Sequence, residues 1–280
     1  MERFDTPDAM RAWSLARRSG GERLAVVPTM GALHGGHLAL IEAARSRADR
    51  VIVTIFVNPL QFNETTDFDV YPRPIDDDVA TCARLGVDAV YAPTGAVMYP
   101  PGYQTHVVPG DLAERLEGPM RPGHFRGVTT VVAKLFGATV PDLATFGRKD
   151  YQQLAIVRRM VADLDMGVEI VAVPIQREPD GLAMSSRNVR LAPDDRAAAV
   201  VLSRALTSAR ERCDAGERDA STLRARVAGL ITAEPRARLE YVELVDAATL
   251  TPVDRIEAPA VVLAAAWFGD VRLIDNVQLD

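Results

Sequence analysis

Two of the four histidines in this 280-residue chain stand three residues apart, His34 and His37, within the run Met30-Gly31-Ala32-Leu33-His34-Gly35-Gly36-His37. Neutral imidazoles donate hydrogen bonds, and protonated ones also stabilise charge gathering on a phosphoryl group, so the pair suits a bound phosphate. Glycines at 31, 35 and 36 let the backbone approach a ligand closely. The plainer alternative is a structural turn carrying two solvated histidines. A metal site is disfavoured, because no acidic or cysteine partner lies at ligand spacing. A second group, Gly147-Arg148-Lys149-Asp150-Tyr151-Gln152-Gln153, offers an amine that can reach phosphates at Lys149. Asp150 can hold a ribose hydroxyl or magnesium-bound water, and Gln152 and Gln153 can orient a polar substrate through paired hydrogen bonds. Read blandly, Asp150 caps a helix and Lys149 is solvated.

A third group, Met184-Ser185-Ser186-Arg187-Asn188, sets hydroxyls beside a guanidinium, which is either a compact set of phosphate donors or a serine-rich linker. Gln61, in Asn58-Pro59-Leu60-Gln61-Phe62-Asn63, offers a donor and an acceptor to a hydroxy acid. The acidic run Asp76-Asp77-Asp78 has two readings of equal weight. Its carboxylates at Asp77 and Asp78 hold Mg²⁺ beside a triphosphate, since magnesium prefers few carboxylates plus water and phosphate oxygens, or the run complements a helix dipole. In the basic loop Arg121-Pro122-Gly123-His124-Phe125-Arg126-Gly127, which leads into a helix, His124 and the two arginines either support an anion or fix the loop, with support as the first reading.

These residues need elements to hold them. Helical spacing over residues 8–18 stops at Gly20-Gly21, and residues 24–27 form a short apolar strand that runs into the His-containing turn and a helix over 37–48. The alternation continues with strands at 51–57, 88–91, 141–146 and 168–173 and helices at 75–85, 127–136 and 151–164. Strands apolar on both faces, alternating with amphipathic helices, predict a parallel sheet covered on both sides, a doubly wound, Rossmann-like α/β fold. After Pro174 the rhythm changes. Helices at 193–215 and 219–233 precede strands at 240–245, 260–268 and 271–276, the last two joined by a tight turn at Gly269-Asp270. The expectation is a nucleotide-binding domain over 1–175 and a smaller α+β domain, an antiparallel sheet with helices, over 176–280. Both His-bearing and Lys-bearing groups then fall where a strand gives way to a helix, where ligands of open α/β sheets bind and where helix N-termini attract anions.

A net charge of −6 supplies no general field for nucleic acid or an anionic membrane, so a phosphate-bearing ligand must be held locally. No apolar run reaches the roughly eighteen residues of a membrane span, and Glu2, Asp5 and Asp8 occupy the place of a basic leader. A cytoplasmic protein is expected. Cys82 and Cys213 are the two cysteines, far apart, and neither a disulfide framework nor a structural zinc site is supported.

Taken in order, the blocks Pro28-Thr29-Met30-Gly31-Ala32-Leu33-His34 with His37, Phe56-Val57-Asn58-Pro59 with Gln61-Phe62, the loop from Arg121 to Val128, Lys149-Asp150-Tyr151-Gln152-Gln153 and Met184-Ser185-Ser186-Arg187-Asn188 resemble the pantothenate synthetase family. The resemblance spans residues 20–195. It implies ATP binding by residues 30–37, by Gly147, Arg148, Lys149 and Asp150, by the backbone at Gln176, and by Met184, Ser185, Ser186 and Arg187. It implies pantoate binding by Gln61 and Gln153, with Gln61 also near β-alanine, and His37 as proton donor with His34 beside it. Lys149 and Arg187 would join the histidines around the phosphates, with Mg²⁺ on the leaving pyrophosphate. A homodimer through the N-terminal domain and a C-terminal lid are further implications. Two positions depart from the family's pattern, Gly35 where glutamate is usual and Arg148 where an acidic residue is usual. Two other readings fit parts of the pattern: a nucleotidyltransferase of the same HxGH superfamily, which leaves Gln61 and Gln153 unexplained, and a non-catalytic nucleotide-binding protein.

Overall fold

The computed structural model describes residues 1–63 and 68–279. The chain divides into two compact units, Met1–Arg148 with Gln153–Pro174, and Lys149–Gln152 with Ile175–Asp280.

The first unit is built on a six-stranded parallel sheet in the order β1-β4-β3-β2-β5-β6. Its strands are β1 (Glu2–Phe4), β2 (Leu24–Thr29), β3 (Arg50–Ile55), β4 (Ala89–Tyr91), β5 (Leu143–Gly147) and β6 (Glu169–Val173). The principal helices are α1 (Pro7–Ser19), α2 (Gly35–Arg45), α3 (Ile75–Arg84), α4 (His124–Thr139) and α5 (Tyr151–Asp163), the last beginning among the residues grouped with the second unit. Leu24, Ala25, Val26 and Val27 are all fully buried because alternate side chains feed two different cores. Val26 and Ile52 pack with Met10, Phe136 and Val157 on one face, while Val27 and Val53 pack with Ile41, Cys82 and Val173 on the other. Each such side chain contributes about 1.5–3 kcal/mol through removal from water. Deep burial also pushes the Cys82 thiol up to about 11, with the Asp78 charge adding to the effect.

The predicted alternation holds, with three informative differences. Strand β1 is absent from the expectation: only three residues long and largely exposed, it completes the sheet by pairing with β4. Helix α4 begins at His124, after Gly123 at φ 80°, rather than at Gly127. The helix expected over 193–215 is two helices, Pro193–Ala198 and α6 (Val201–Asp214), because the chain tightens between them, with Leu202 donating to the Ala199 carbonyl three residues back.

The second unit carries an antiparallel sheet β7-β8-β9, formed by Ala237–Asp246, Ala260–Phe268 and Val271–Leu279. Phe268 pairs with Val271 across Gly269-Asp270, and Gly269 takes a φ of 55°, which glycine adopts without strain. Strand β8 is almost wholly buried against α6 and α7 (Ala220–Thr232) in a core that includes Leu206, Leu223, Ile231, Val262 and Phe268. Among the described residues, no helix is long and apolar enough to cross a membrane.

Candidate active site

The sheet order places a topological switch in the middle of the first unit. From β2 the chain proceeds to β3 on one side, and later returns to β5 on the other side of β2. Crevices at the carboxyl ends of such strands are where open α/β sheets bind ligands. Met30 follows β2 and Arg148 follows β5, so these two residues lie at the carboxyl ends of neighbouring strands.

The turn after β2 is held tightly. Thr29 donates through Oγ1 to the Thr54 carbonyl at 2.6 Å and accepts the Gly31 amide at 3.1 Å. Gly31 and Ala32 then take φ of 82° and 50°. This left-handed pair turns the amides of Ala32 and Leu33 towards Asp78, whose two carboxylate oxygens accept them at 2.8 Å each. Asp78 is 3 % exposed, and a Cβ on Gly31 would stand 2.8 Å from its Oδ2, so position 31 admits glycine alone without a shift. A nest of backbone amides that elsewhere would hold a phosphate is therefore filled by the protein's own carboxylate.

Helix α2 begins at Gly35 with His34 as its N-cap. His34 Nδ1 accepts the Gly36 amide at 3.1 Å, and His37 Nδ1 accepts the His34 amide at 3.2 Å, a reciprocal capping box made by two histidines. A backbone N–H can only donate, so both Nδ1 atoms are acceptors, and in each neutral ring the proton sits on Nε2. The rings lie with centroids 4.2 Å apart. The cap thus turns two imidazoles into oriented Nε2–H donors at the positive end of a helix. A Cβ at Gly36 would come within 2.9 Å of the His34 ring, so the glycine keeps room for this arrangement.

Gln61 ends the short 3₁₀ turn Pro59–Gln61 and reaches the same turn, its Nε2 lying 3.1 Å from Met30 Sδ. Its carbonyl accepts from His124 Nδ1 at 2.8 Å and from Arg121 Nη2 at 3.2 Å, so the basic loop supports the Gln61 backbone. Helix α4 presses against this turn at Gly127, where a Cβ would stand 2.3 Å from the Leu60 carbonyl oxygen and 2.8 Å from the Gln61 nitrogen. Gly127→Ala should therefore destabilise the protein by about 1–3 kcal/mol in chemical denaturation, the usual cost of overpacking. An unchanged midpoint would mean that α4 does not clamp Gln61.

In the second unit, Lys149 lies in the 3₁₀ turn Arg148–Asp150, and its carbonyl accepts from Asn276 Nδ2 at 2.9 Å. Asn276 follows Asp275, which is 3 % exposed and pairs with Arg177 through contacts of 2.7 and 3.1 Å. Arg177 in turn bridges to Ala183, the Met184 amide donates to the Gln176 carbonyl at 2.9 Å, and Ser185 Oγ accepts the Arg187 amide at 3.2 Å. Gln176, Met184, Ser185, Arg187 and the Lys149 backbone are thus carried by one network built around Asp275 and Asn276 in the middle of β9.

The family model described as pantoate-beta-alanine ligase matches residues 2–278. The chain belongs to this family. It is similar to the pantothenate synthetase of Heliobacterium modesticaldum, at 51% identity with 97% of this chain and 96% of that protein covered, and to that of Anaeromyxobacter dehalogenans, at 52% identity with 99% and 98% covered. Among solved structures, pantothenate synthetase from Thermus thermophilus matches with a TM-score of 0.93 at 45% identity, covering 99% of both chains. Pantoate-beta-alanine ligase from Francisella tularensis, complexed with beta-gamma ATP and beta-alanine, matches with a TM-score of 0.80 at 34% identity, covering 99% of this chain and 97% of that one.

For a member of this ligase family, the geometry sorts the predicted residues into groups. Met30, His34, His37 and Gln61 come together in the first unit, and Lys149, Gln176, Met184, Ser185 and Arg187 share the second unit's network. Gln153, on α5, belongs to the first unit and is half-buried. The acidic run does not present parallel carboxylates: Asp77 is exposed while Asp78 is buried against the turn. Among the described residues, no three His, Cys, Asp or Glu side chains are grouped to hold a metal ion. Sequence reasoning missed the turn-holding part of Asp78, because a carboxylate forty-five and forty-six positions from the two amides it accepts leaves no local signal. It gave Asn58 no part of its own, because its burial (1 % exposed) beside Gln61 is a tertiary fact.

Proposed function

We propose that the protein joins pantoate to β-alanine in two steps, the first forming pantoyl-adenylate from ATP. The pantoate carboxylate attacks the α-phosphorus and pyrophosphate leaves. The β-alanine amine then attacks the acyl carbon, loses a proton, and AMP leaves with the C–O electron pair. No covalent nucleophile of the protein is needed, so catalysis consists of positioning and charge stabilisation. The observation that carries this reading is the pair of Nε2–H donors, oriented by the cap at the head of α2, in the turn whose Met30 the Gln61 amide reaches.

In this reading His37 donates to the leaving pyrophosphate and His34 to the adjoining phosphate. Residues 30–37, Gly147, Arg148, Lys149 and Asp150, the Gln176 backbone, and Met184, Ser185, Ser186 and Arg187 hold ATP, with Lys149 and Arg187 supplying positive charge. Gln61 and Gln153 hold pantoate, and Gln61 also borders β-alanine. Mg²⁺, when carried in with ATP, would neutralise phosphate charge. Asp77 is the exposed carboxylate that can join its phosphate and water ligands, whereas Asp78 is committed to the turn. Residues 1–175 serve nucleotide and pantoate, and residues 176–280 shield the mixed anhydride from water. The working form is a cytoplasmic homodimer joined through the N-terminal part, and neither nucleic acid nor membrane takes part.

Two alternatives are disfavoured. A nucleotidyltransferase leaves the anchored Gln61 without a task, and a non-catalytic nucleotide binder has no need of oriented histidines. The test is mass spectrometry of the products from ATP, pantoate and β-alanine. Pantothenate, AMP and pyrophosphate in equal amounts are expected; an adenylylated product with no amide, or no turnover, would reject the proposal.

A further inference from the structure

We infer that Tyr99 is a positioning residue for the acid substrate: through Asn58 it holds the Gln61 amide so that Nε2, a hydrogen-bond donor, is the end offered to a substrate oxygen. The inference rests on the assignment of Gln61 to pantoate made above.

Side-chain amides are ambiguous until a partner of fixed polarity decides them. Here the backbone decides. The Leu60 amide donates to Asn58 Oδ1 at 3.3 Å, and Asn58 Nδ2 donates to the Gly127 carbonyl at 3.1 Å, so Asn58 has one possible orientation. Its Nδ2 also donates to Gln61 Oε1 at 3.0 Å, which makes Oε1 an acceptor already in use and leaves Nε2 as the outward end, 3.1 Å from Met30 Sδ. A thioether is a weak acceptor, so a carboxylate or hydroxyl oxygen competes for this donor readily.

The shortest bond of the set belongs to Tyr99. Its hydroxyl donates to Asn58 Oδ1 at 2.7 Å, and since Oδ1 is an acceptor, the phenol must be the donor. The ring is held between Phe56 and Tyr103, with centroid separations of 6.1 and 5.1 Å. Burial, helped by Tyr103, pushes the phenol well above its ordinary range, so it keeps its proton at any working pH. Asn58 is 1 % exposed, too deeply buried for bulk solvent to replace a lost donor. Removing the Tyr99 hydroxyl weakens the hold on Asn58 and, through it, on Gln61.

Tyr99→Phe is the direct test, read as separate KM values for pantoate and ATP. One neutral hydrogen bond corresponds to a rise of about five- to tenfold in pantoate KM, with ATP KM and kcat within about twofold. The same change in a Gln61→Ala background should leave pantoate KM where Gln61→Ala alone puts it, because Tyr99 acts through Gln61. Independent, multiplying effects, or pantoate and ATP KM rising together, would overturn the inference. Gln61→Glu gives a second reading that does not depend on Tyr99: it keeps the acceptor for Asn58 but replaces the outward donor by an anionic oxygen. A loss of about a hundredfold or more in kcat/KM for pantoate is expected, and near-normal use of pantoate would contradict the assigned polarity. Wild-type protein with no pantoate-dependent activity would remove the Gln61 assignment together with this inference. An active wild type with an unaltered Tyr99→Phe would remove this inference alone.

Discussion

His37→Ala is expected to lower turnover by about 10²- to 10³-fold, the effect of removing one preorganised donor from developing negative charge, while ATP affinity changes by less than about threefold. The asymmetry follows from where the charge develops. Bound ATP has many phosphate contacts, but the oxygen between the α- and β-phosphates gains its charge only as pyrophosphate departs. A donor directed there is used mostly in the transition state. The structure adds a reason for the direction of that donor: His37 Nδ1 accepts the His34 amide at 3.2 Å, so the ring cannot turn its proton away without breaking the cap. Pre-steady-state measurement of adenylate formation beside equilibrium ATP binding separates the two quantities. Equal losses in both would remove His37 from the chemical step and leave it as a binding residue.

Asp78→Ala is expected to cost about 3 kcal/mol of stability, since it leaves the Ala32 and Leu33 amides without their charged acceptor in a site that is 3 % exposed. The left-handed backbone at Ala32, φ 50°, adds a strain of about 1 kcal/mol or more that the two bonds now hold in place. The turn carrying His34 would lose its fixed geometry, so activity should fall with stability. Chemical denaturation of the protein without nucleotide or Mg²⁺ is the discriminating measurement. A loss confined to activity, restored by raised Mg²⁺, would show Asp78 to be a metal ligand rather than the clamp of this turn.

Much of the fold is legible along the chain because parallel strands buried on both faces read as continuous apolar runs. The segment 24–27 is such a run, and the structure buries all four of its side chains in two separate cores. The hairpin at Gly269-Asp270 is legible for another reason, since a two-residue connection between apolar strands demands a residue at ease with positive φ. What stays hidden depends on tertiary contact. Glu2–Phe4 is too short and polar to announce a strand, and only β4 makes it one. Gly127 looks like the start of a helix when it is an interior position kept bare for the Leu60-Gln61 backbone. In the site, residue types pointed to phosphates and a hydroxy acid, but not to the manner in which the side chains are held. The histidines cap each other, Asp78 occupies the amide nest, and Asn58 orients Gln61. Lys149 to Gln152 group with the second unit although they sit between elements of the first, a division that the order of residues does not reveal.

The central claim is that the pantoate carboxylate is activated on ATP before β-alanine is needed. It is tested most directly by incubating the protein with ATP, Mg²⁺ and labelled pyrophosphate, with and without pantoate, in the absence of β-alanine. Label entering ATP only when pantoate is present is the predicted result. ATP bound but no pantoate-dependent exchange, from protein that still makes pantothenate once β-alanine is added, would contradict a free adenylate intermediate and require a concerted route.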